Sequence, residues 1–261
     1  MNRGDFILVN AFTGHLAKGN QCCVLLLDDL ADSQRLQDLA ADFNLPATSF
    51  IRRMDAHNYQ VRWFAPEGEI NLCGHGTIAA SAVLFEADPS IDEISFHYGE
   101  VILLGKREVS GVAITGTPIL SAEVEIPSHV LTGFKGKAAA YYTSSNKDIV
   151  LFGNADDVCS MNPDWNALRK SNTFAYVVTA TGDDSDFVSR VFLPYVSFLE
   201  DQATGSAHML LTPFWSERLA KNEMKAHQLS KRGGRMSCGY HDNLVTLTAE
   251  TLIFGQESLI P

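Results

Sequence analysis

Hydrophobic and polar positions along the chain come in short runs. Stretches rich in β-branched and aromatic residues recur: FILVNAF, CCVLLL, TSFIRR, YQVRWFA, EISFHY, VILLGK and GVAIT before residue 118, then AEVEI, AAAYYTSS, DIVLFG, FAYVVTA, FVSRVFL and NLVTLTA. Such residues suit a pleated, half-buried surface, so each run predicts a β-strand. Three segments follow the helical period instead. SQRLQDLAADF sets Leu36, Leu39, Ala40 and Phe43 on one face behind Asp32 or Ser33 as cap, the pattern of an amphipathic helix. GTIAASAVLFEA and GSAHMLLTPFWSERLA are apolar nearly all round, which predicts buried helices.

The strands do not alternate regularly with helices, which disfavours a doubly wound parallel sheet and favours an α+β arrangement. Each half of the chain carries many strands and one buried helix. Both buried helices follow a glycine-containing turn, LCGHGTIAASAVLF in one half and QATGSAHMLLTPFW in the other. The expectation is two domains of similar build, each a curved sheet around a helix, with a boundary near TGTPIL: residues 1–117 and 118–261.

Composition narrows the function. With 261 residues, 46% hydrophobic and 20% charged, the chain has an ordinary globular composition and room for a large core. A net charge of -11 repels a phosphate backbone, so nucleic acid is not expected as a partner. No apolar run approaches membrane-spanning length and the N-terminal run is too short for a signal-peptide core, so a cytoplasmic location and no membrane partner are expected. Cys22, Cys23, Cys73, Cys159 and Cys238 are odd in number and irregularly spaced, which reads as free thiols.

The candidate chemistry lies at the two glycine turns. A helix N-terminus presents unpaired N–H groups and a partial positive charge, and glycine lets an anion approach the backbone. Gly74 and Gly76 in one turn, and Gly205 with Ser206 in the other, fit a carboxylate-bearing ligand. Glycines that merely allow tight turns are the plainer reading of either turn alone. Two donor sets could also hold the charge that develops when a proton leaves a neighbouring carbon.

The segments NLCGHGTIAASAVLF, RVFLPYVSFLEDQATGSAHMLLTPFW and HQLSKRGGRM, with the opening VNAFT and GNQCCVLLL and the middle FNLPATSF and YQVRWFAPEGEINL, resemble the PhzF family of phenazine-biosynthesis-like isomerases. The likeness runs over nearly the whole chain. It implies a diaminopimelate epimerase-like fold of two pseudo-symmetric domains, each a barrel-like mixed sheet around a central helix. It further implies an active site between the domains, no cofactor or metal, a small carboxylate-bearing metabolite as substrate, and a homodimer. Position by position, the family's glycine-histidine turn falls on Gly74 and His75, its acidic residue on Asp201, and its second anion-binding turn on Thr204, Gly205 and Ser206.

One position departs from the family. Where the pattern reads Asn-Leu-Ser-Glu-Thr, with the Glu as general acid/base, this chain reads NLPAT and places Ala47 there. Asn10 stands where the pattern has Asp, and Gln21 where it has Pro. Alanine cannot exchange a proton, so another group must do so if the protein is an isomerase. Asp201 is one candidate, with a capping role as its rival. His75 is another, able to titrate near neutrality. Cys73 stands at the catalytic-thiol position of racemases with this architecture, and a helix N-terminus lowers thiol pKa values; burial as an inert thiol is the plainer reading. A two-thiol racemase is excluded because the second thiol position is Thr204. The leading expectation is therefore proton-transfer isomerisation, with an inactive binding module and a Cys73-dependent dehydratase or epimerase as alternatives.

Other signals are weak. CGYH at 238–241 reads as a turn rather than a metal site, and Lys231, Arg232 and Arg235 as a solvated turn or a basic rim. His208, Trp63 and Trp215 read as packing residues, Arg190 as the partner of an acidic neighbour, and Arg62 as ambiguous in the same way.

Overall fold

A computed structural model of the chain describes residues 5–145 and 147–258, which divide into two compact units. The first opens with β1 (Asp5–Ala11) and β2 (Asn20–Leu26), crosses through α1 (Ser33–Phe43) to β3 (Ala47–Arg53) and β4 (Asn58–Ala65), and continues through β5 (Gly68–Ile70), α2 (Gly74–Ala87), β6 (Glu93–Tyr98), β7 (Val101–Glu108) and β8 (Gly111–Gly116). The second contains β9 (Ala122–Val124), α3 (Ser128–Gly133), β10 (Ala138–Thr143), β11 (Lys147–Phe152), α4 (Ala155–Ser160), α5 (Trp165–Leu168), β12 (Ala175–Thr181), β13 (Phe187–Phe192), β14 (Glu200–Asp201), α6 (Gly205–Leu219), β15 (Glu223–Gln228) and β16 (Gly234–His241). From Thr246 onward the chain belongs to the first unit again, through β17 (Leu244–Ala249) and β18 (Thr251–Ser258).

The strand pairings repeat. In the first unit β1–β2 is antiparallel, β2–β3 parallel, β3–β4 and β4–β5 antiparallel, β4–β6 parallel and β6–β7 antiparallel. In the second, β10–β11, β11–β12, β12–β13, β13–β14, β13–β15 and β15–β16 follow the same order of directions. A helix crosses at each parallel step: α1 against α4 and α5, and α2 against α6. Each unit thus builds a mixed sheet by the same path, as the paired glycine turns suggested.

The register also aligns a side-chain device. Cys22 pairs with Ala47 in the first unit as Lys147 pairs with Ala175 in the second, and three residues further on Arg62 stands across from Phe50 as Arg190 stands across from Val178. Arg62 holds Glu69 at 2.7 and 2.6 Å and donates to the Leu30 carbonyl and Ser33 Oγ at the entry to α1. Arg190 holds Glu200 at 2.7 and 2.9 Å and donates to the carbonyls of Val158, Cys159 and Met161 at the end of α4. Each guanidinium lies over the ring two residues on, 5.1 Å from Phe64 and 4.7 Å from Phe192. In each unit an arginine therefore fastens the first crossover to the sheet, and both ambiguous arginines of the sequence are structural.

Every run read as a strand is one. Helix α1 is capped by Asp32, whose side chain accepts from Arg35 N, and it buries Leu36 and Ala40, with Leu39 and Phe43 packed partly buried on the same cluster. The core beneath α1 gathers Cys23, Leu25, Phe50 and Phe64; that of the second unit gathers Phe134, Tyr141, Tyr176, Val178 and Phe192. Two readings change. CGYH is not a turn but the end of β16, with Cys238 fully buried. The second unit stops at Val245 rather than running to 261, because β1 has an edge beyond β2 that β18 fills from Asp5↔Ser258 to Ala11↔Thr251. Backbone groups on a strand edge need partners, and β18 supplies them.

Candidate functional site

The two buried helices start differently from α1, α4 and α5. Asn154 and Asp164 cap α4 and α5 with side-chain oxygens, as Asp32 does for α1. Cys73 and Thr204, the N-cap residues of α2 and α6, make no side-chain cap bond. The N-cap side chains of these two helices therefore do not occupy the mouth, a condition under which a helix mouth can take up an anion.

In the first unit, β2, β3 and β4 present one face to the start of α2. Ser49 donates to the Gly76 carbonyl at 3.0 Å and lies 3.3 Å from Cys22 Sγ. Ala47 is two residues before Ser49 and so on the same face of β3. It is fully buried. Gly76 is required by close approach: a Cβ there would lie 2.6 Å from Trp63 Cδ1, 2.7 Å from Ser49 Oγ and 3.0 Å from Cys73 Sγ. Trp63 is fully buried, and its Nε1 has no hydrogen-bond partner among the described residues. Cys73 and His75, both buried, touch, with Sγ 3.4 Å from Nδ1. Burial pushes the Cys22 thiol up to about 12 and that of Cys23 higher still, so neither is a ready nucleophile. The structure thus brings Ala47, Cys73, Gly74, His75 and Gly76 together in one unit.

The second unit brings together Asp201, Thr204, Gly205 and Ser206. Thr204 Oγ donates to Asp201 Oδ2 at 2.5 Å, and Gln202 N–H donates to Asp201 Oδ1 at 2.8 Å. Both carboxylate oxygens thus accept within the turn, and Asp201 helps to hold it. Ser206 is buried, and its hydroxyl has no hydrogen-bond partner among the described residues. His208 is fully buried one turn on, with Nδ1 2.8 Å from the Thr204 carbonyl and its ring stacked on Phe187. Burial lowers its pKa to about 4, so it is a neutral packing residue. Trp215 is buried with its indole N–H on Thr179 at 3.0 Å.

Sequence reasoning missed two members of these clusters. Ser49 sits in a strand whose pattern signals only β structure. Gln228, fully buried at the end of β15, bonds to Thr204 and Asp201; the polar residue in HQLSKRGGRM was the available signal. The segment Lys231–Arg232 lies in the turn between β15 and β16, and Arg235 opens outward on β16. Among the described residues no group of His, Cys, Asp or Glu is placed to hold a metal ion, and no helix is long and apolar enough to cross a membrane.

Comparison with known proteins adds identity to this geometry. Residues 9–248 match the family described as phenazine biosynthesis-like protein, PhzC-PhzF. The chain is 32% identical over 260 residues to a protein of Halalkalibacterium halodurans described as an uncharacterized isomerase, covering 97% of each. A crystal structure of a PhzF family phenazine biosynthesis protein from Enterococcus faecalis superposes with a TM-score of 0.92 at 29% identity, covering 98% of this chain and 99% of that one. A probable proline racemase from Agrobacterium radiobacter, at 9% identity, 98% and 92% coverage and a TM-score of 0.65, shares the fold alone.

Proposed function

The chain belongs to the phenazine biosynthesis-like (PhzC-PhzF) family, and on that premise we propose that it is an isomerase moving a proton on a small carboxylate-bearing metabolite, without a cofactor. The Gly74–His75–Gly76 turn of the first unit and the Thr204–Gly205–Ser206 turn of the second each offer a helix mouth suited to a carboxylate. The observation that carries this reading is the pair of buried helix mouths, each lacking a side-chain cap, one in each repeat of the fold. A helix mouth favours a carboxylate and favours more strongly the extra charge of an enolate-like transition state.

Ala47 removes the family's acid/base, and the proton falls to the Cys73–His75 contact. Imidazole is the base whose unperturbed pKa lies nearest neutrality, and the thiol at 3.4 Å can orient it or share its proton. Asp201, engaged through both oxygens, positions the second turn. A second reading makes Cys73 itself the reacting group, favoured by the same contact.

The test is solvent exchange. Incubation with a panel of small carboxylates in deuterium oxide, followed by proton NMR, is expected to show loss of substrate C–H signal. His75→Gln is expected to abolish it, and Ala47→Glu to raise it. Exchange that survives His75→Gln but not Cys73→Ser selects the thiol reading. Tight binding with no exchange in wild type or Ala47→Glu selects an inactive binding module. A homodimer in the cytoplasm belongs to the same proposal; sedimentation of the purified chain checks the assembly.

A further inference from the structure

We propose that Gln228 is the positioning residue of the α6 turn: its side-chain amide saturates the Thr204 N–H and leaves the Gly205 and Ser206 amides and the Ser206 hydroxyl as the donors that meet the ligand's carboxylate. This rests on the carboxylate reading above.

The geometry is closed on every side. Gln228 is fully buried where β15 ends, between Gly234 of β16 and Ser189 of β13. Its Oε1 accepts from Thr204 N at 2.8 Å, and its Nε2 donates to the Asp201 carbonyl at 2.8 Å and to Thr204 Oγ at 3.2 Å. The amide's orientation follows from these partners. Turned over, it would set NH2 against the Thr204 N–H and its oxygen against the Asp201 carbonyl. The Thr204 hydroxyl, accepting from Gln228, passes its own proton to Asp201 Oδ2 at 2.5 Å. Gln228, Thr204 and Asp201 thus form one ring of hydrogen bonds around the N-cap.

Such a ring does two things for a ligand. It removes Thr204 N–H from competition, so an incoming anion registers on the next two residues of the helix. It also fixes the turn with a neutral side chain, leaving the positive end of the α6 dipole uncompensated except by Asp201. A second observation concerns the same turn: Ser206 is only 8% exposed, and its hydroxyl makes no hydrogen bond among the described residues while still reaching solvent, so it is free to meet a ligand. Glutamate at 228 is the discriminating substitution, because ionised it cannot donate to Asp201 and adds a negative charge beside the mouth, whereas protonated it again offers one donor and one acceptor.

The experiment titrates benzoate, a simple carboxylate probe, into wild type, Gln228→Glu, Gln228→Met and Ser206→Ala. The readouts are the backbone amide NMR shifts of Gly205 and Ser206, with thermal unfolding as the check on folding. Wild type is expected to shift both amides. Gln228→Met and Ser206→Ala are expected to bind at least about tenfold more weakly at every pH, the loss expected from disturbing one hydrogen bond to a charged group. Gln228→Glu is expected to lose as much at about pH 8 and to recover towards wild type at about pH 5, as its carboxyl takes up a proton. Asp201 on β14 and His208 in α6, the titratable groups bonded to the same turn, are common to all four proteins, so a pH response confined to Gln228→Glu belongs to position 228. A residue with only a packing role would show no such recovery. If wild type shifts Gly205 and Ser206 and the Gln228 variants bind as it does, the assignment is overturned while the carboxylate reading stands; Ser206→Ala, whose hydroxyl holds nothing in the fold, decides the case if the Gln228 variants fail to fold, since unchanged binding there also overturns it. If benzoate shifts only the α2 turn, the assignment falls alone. If it shifts neither turn, the carboxylate reading falls and takes this one with it.

Discussion

His208 makes the stability of this protein depend on acidity in a way that can be calculated. The imidazole is fully buried in α6, donates from Nδ1 to the Thr204 carbonyl and lies 3.4 Å from Ser189 Oγ, with its pKa lowered from 6.5 to about 4 by burial. In the unfolded chain it takes up a proton near its ordinary pKa; folded, it declines one until about pH 4. The unfolded state therefore binds more protons between these values, and stability falls as pH falls through the window, with no further change below it. The full difference of about 2.5 pKa units corresponds to about 3 kcal/mol. The part lost between about pH 7 and pH 5 is about 2 kcal/mol. Urea unfolding of wild type and His208→Gln across this range isolates the effect, because other titrating groups cancel and the stacking lost with the ring is independent of pH. Wild type should lose about 2 kcal/mol relative to the variant. A difference that stays flat within about 0.5 kcal/mol refutes the reasoning, since it would mean that the buried ring takes its proton as readily as in water.

Three further outcomes follow from the packing. Gly76→Ala should destabilise by about 1–3 kcal/mol in chemical unfolding, because its Cβ meets Trp63, Ser49 and Cys73, whereas Gly68→Ala, with nothing within 4 Å, should be near neutral; equal effects contradict the close approach. Arg190→Met should cost about 3 kcal/mol by leaving Glu200 and three carbonyls without their donor; a loss under about 1 kcal/mol would show that the crossover holds without it. A thiol reagent should label Cys159 rapidly and the four buried cysteines only on unfolding, with the Cys22 and Cys238 thiols both pushed up to about 12 by burial. A second fast thiol that maps to Cys73 would favour the cysteine reading of the reaction.

The parts of the fold that were legible were those written locally. FAYVVTA and FVSRVFL declare strands by composition, and the all-apolar helices declare their burial. EMKAHQ does not declare a strand by composition because its buried face is Met224, Ala226 and Gln228, none of them β-branched, although its exposed and buried positions alternate. The short helices α4 and α5 rest on single caps, Asn154 and Asp164, over too few residues for a period to show. The return of β18 to β1 depends on an edge left open some 240 residues earlier, which no window along the chain contains. At the candidate site the α2 turn could be read because close approach demands glycine at Gly76. The engagement of Asp201 could not, because it depends on where Thr204 points its hydroxyl and on a glutamine from another strand.

That late return of β18 sets an order on synthesis. As the chain leaves the ribosome, β9 to β16 emerge with the partners that join them to one another and can close their own core, while the sheet begun by β1 still waits for β18. The half made first is thus finished last, and during that interval β1 offers an open edge that a neighbouring nascent chain could capture.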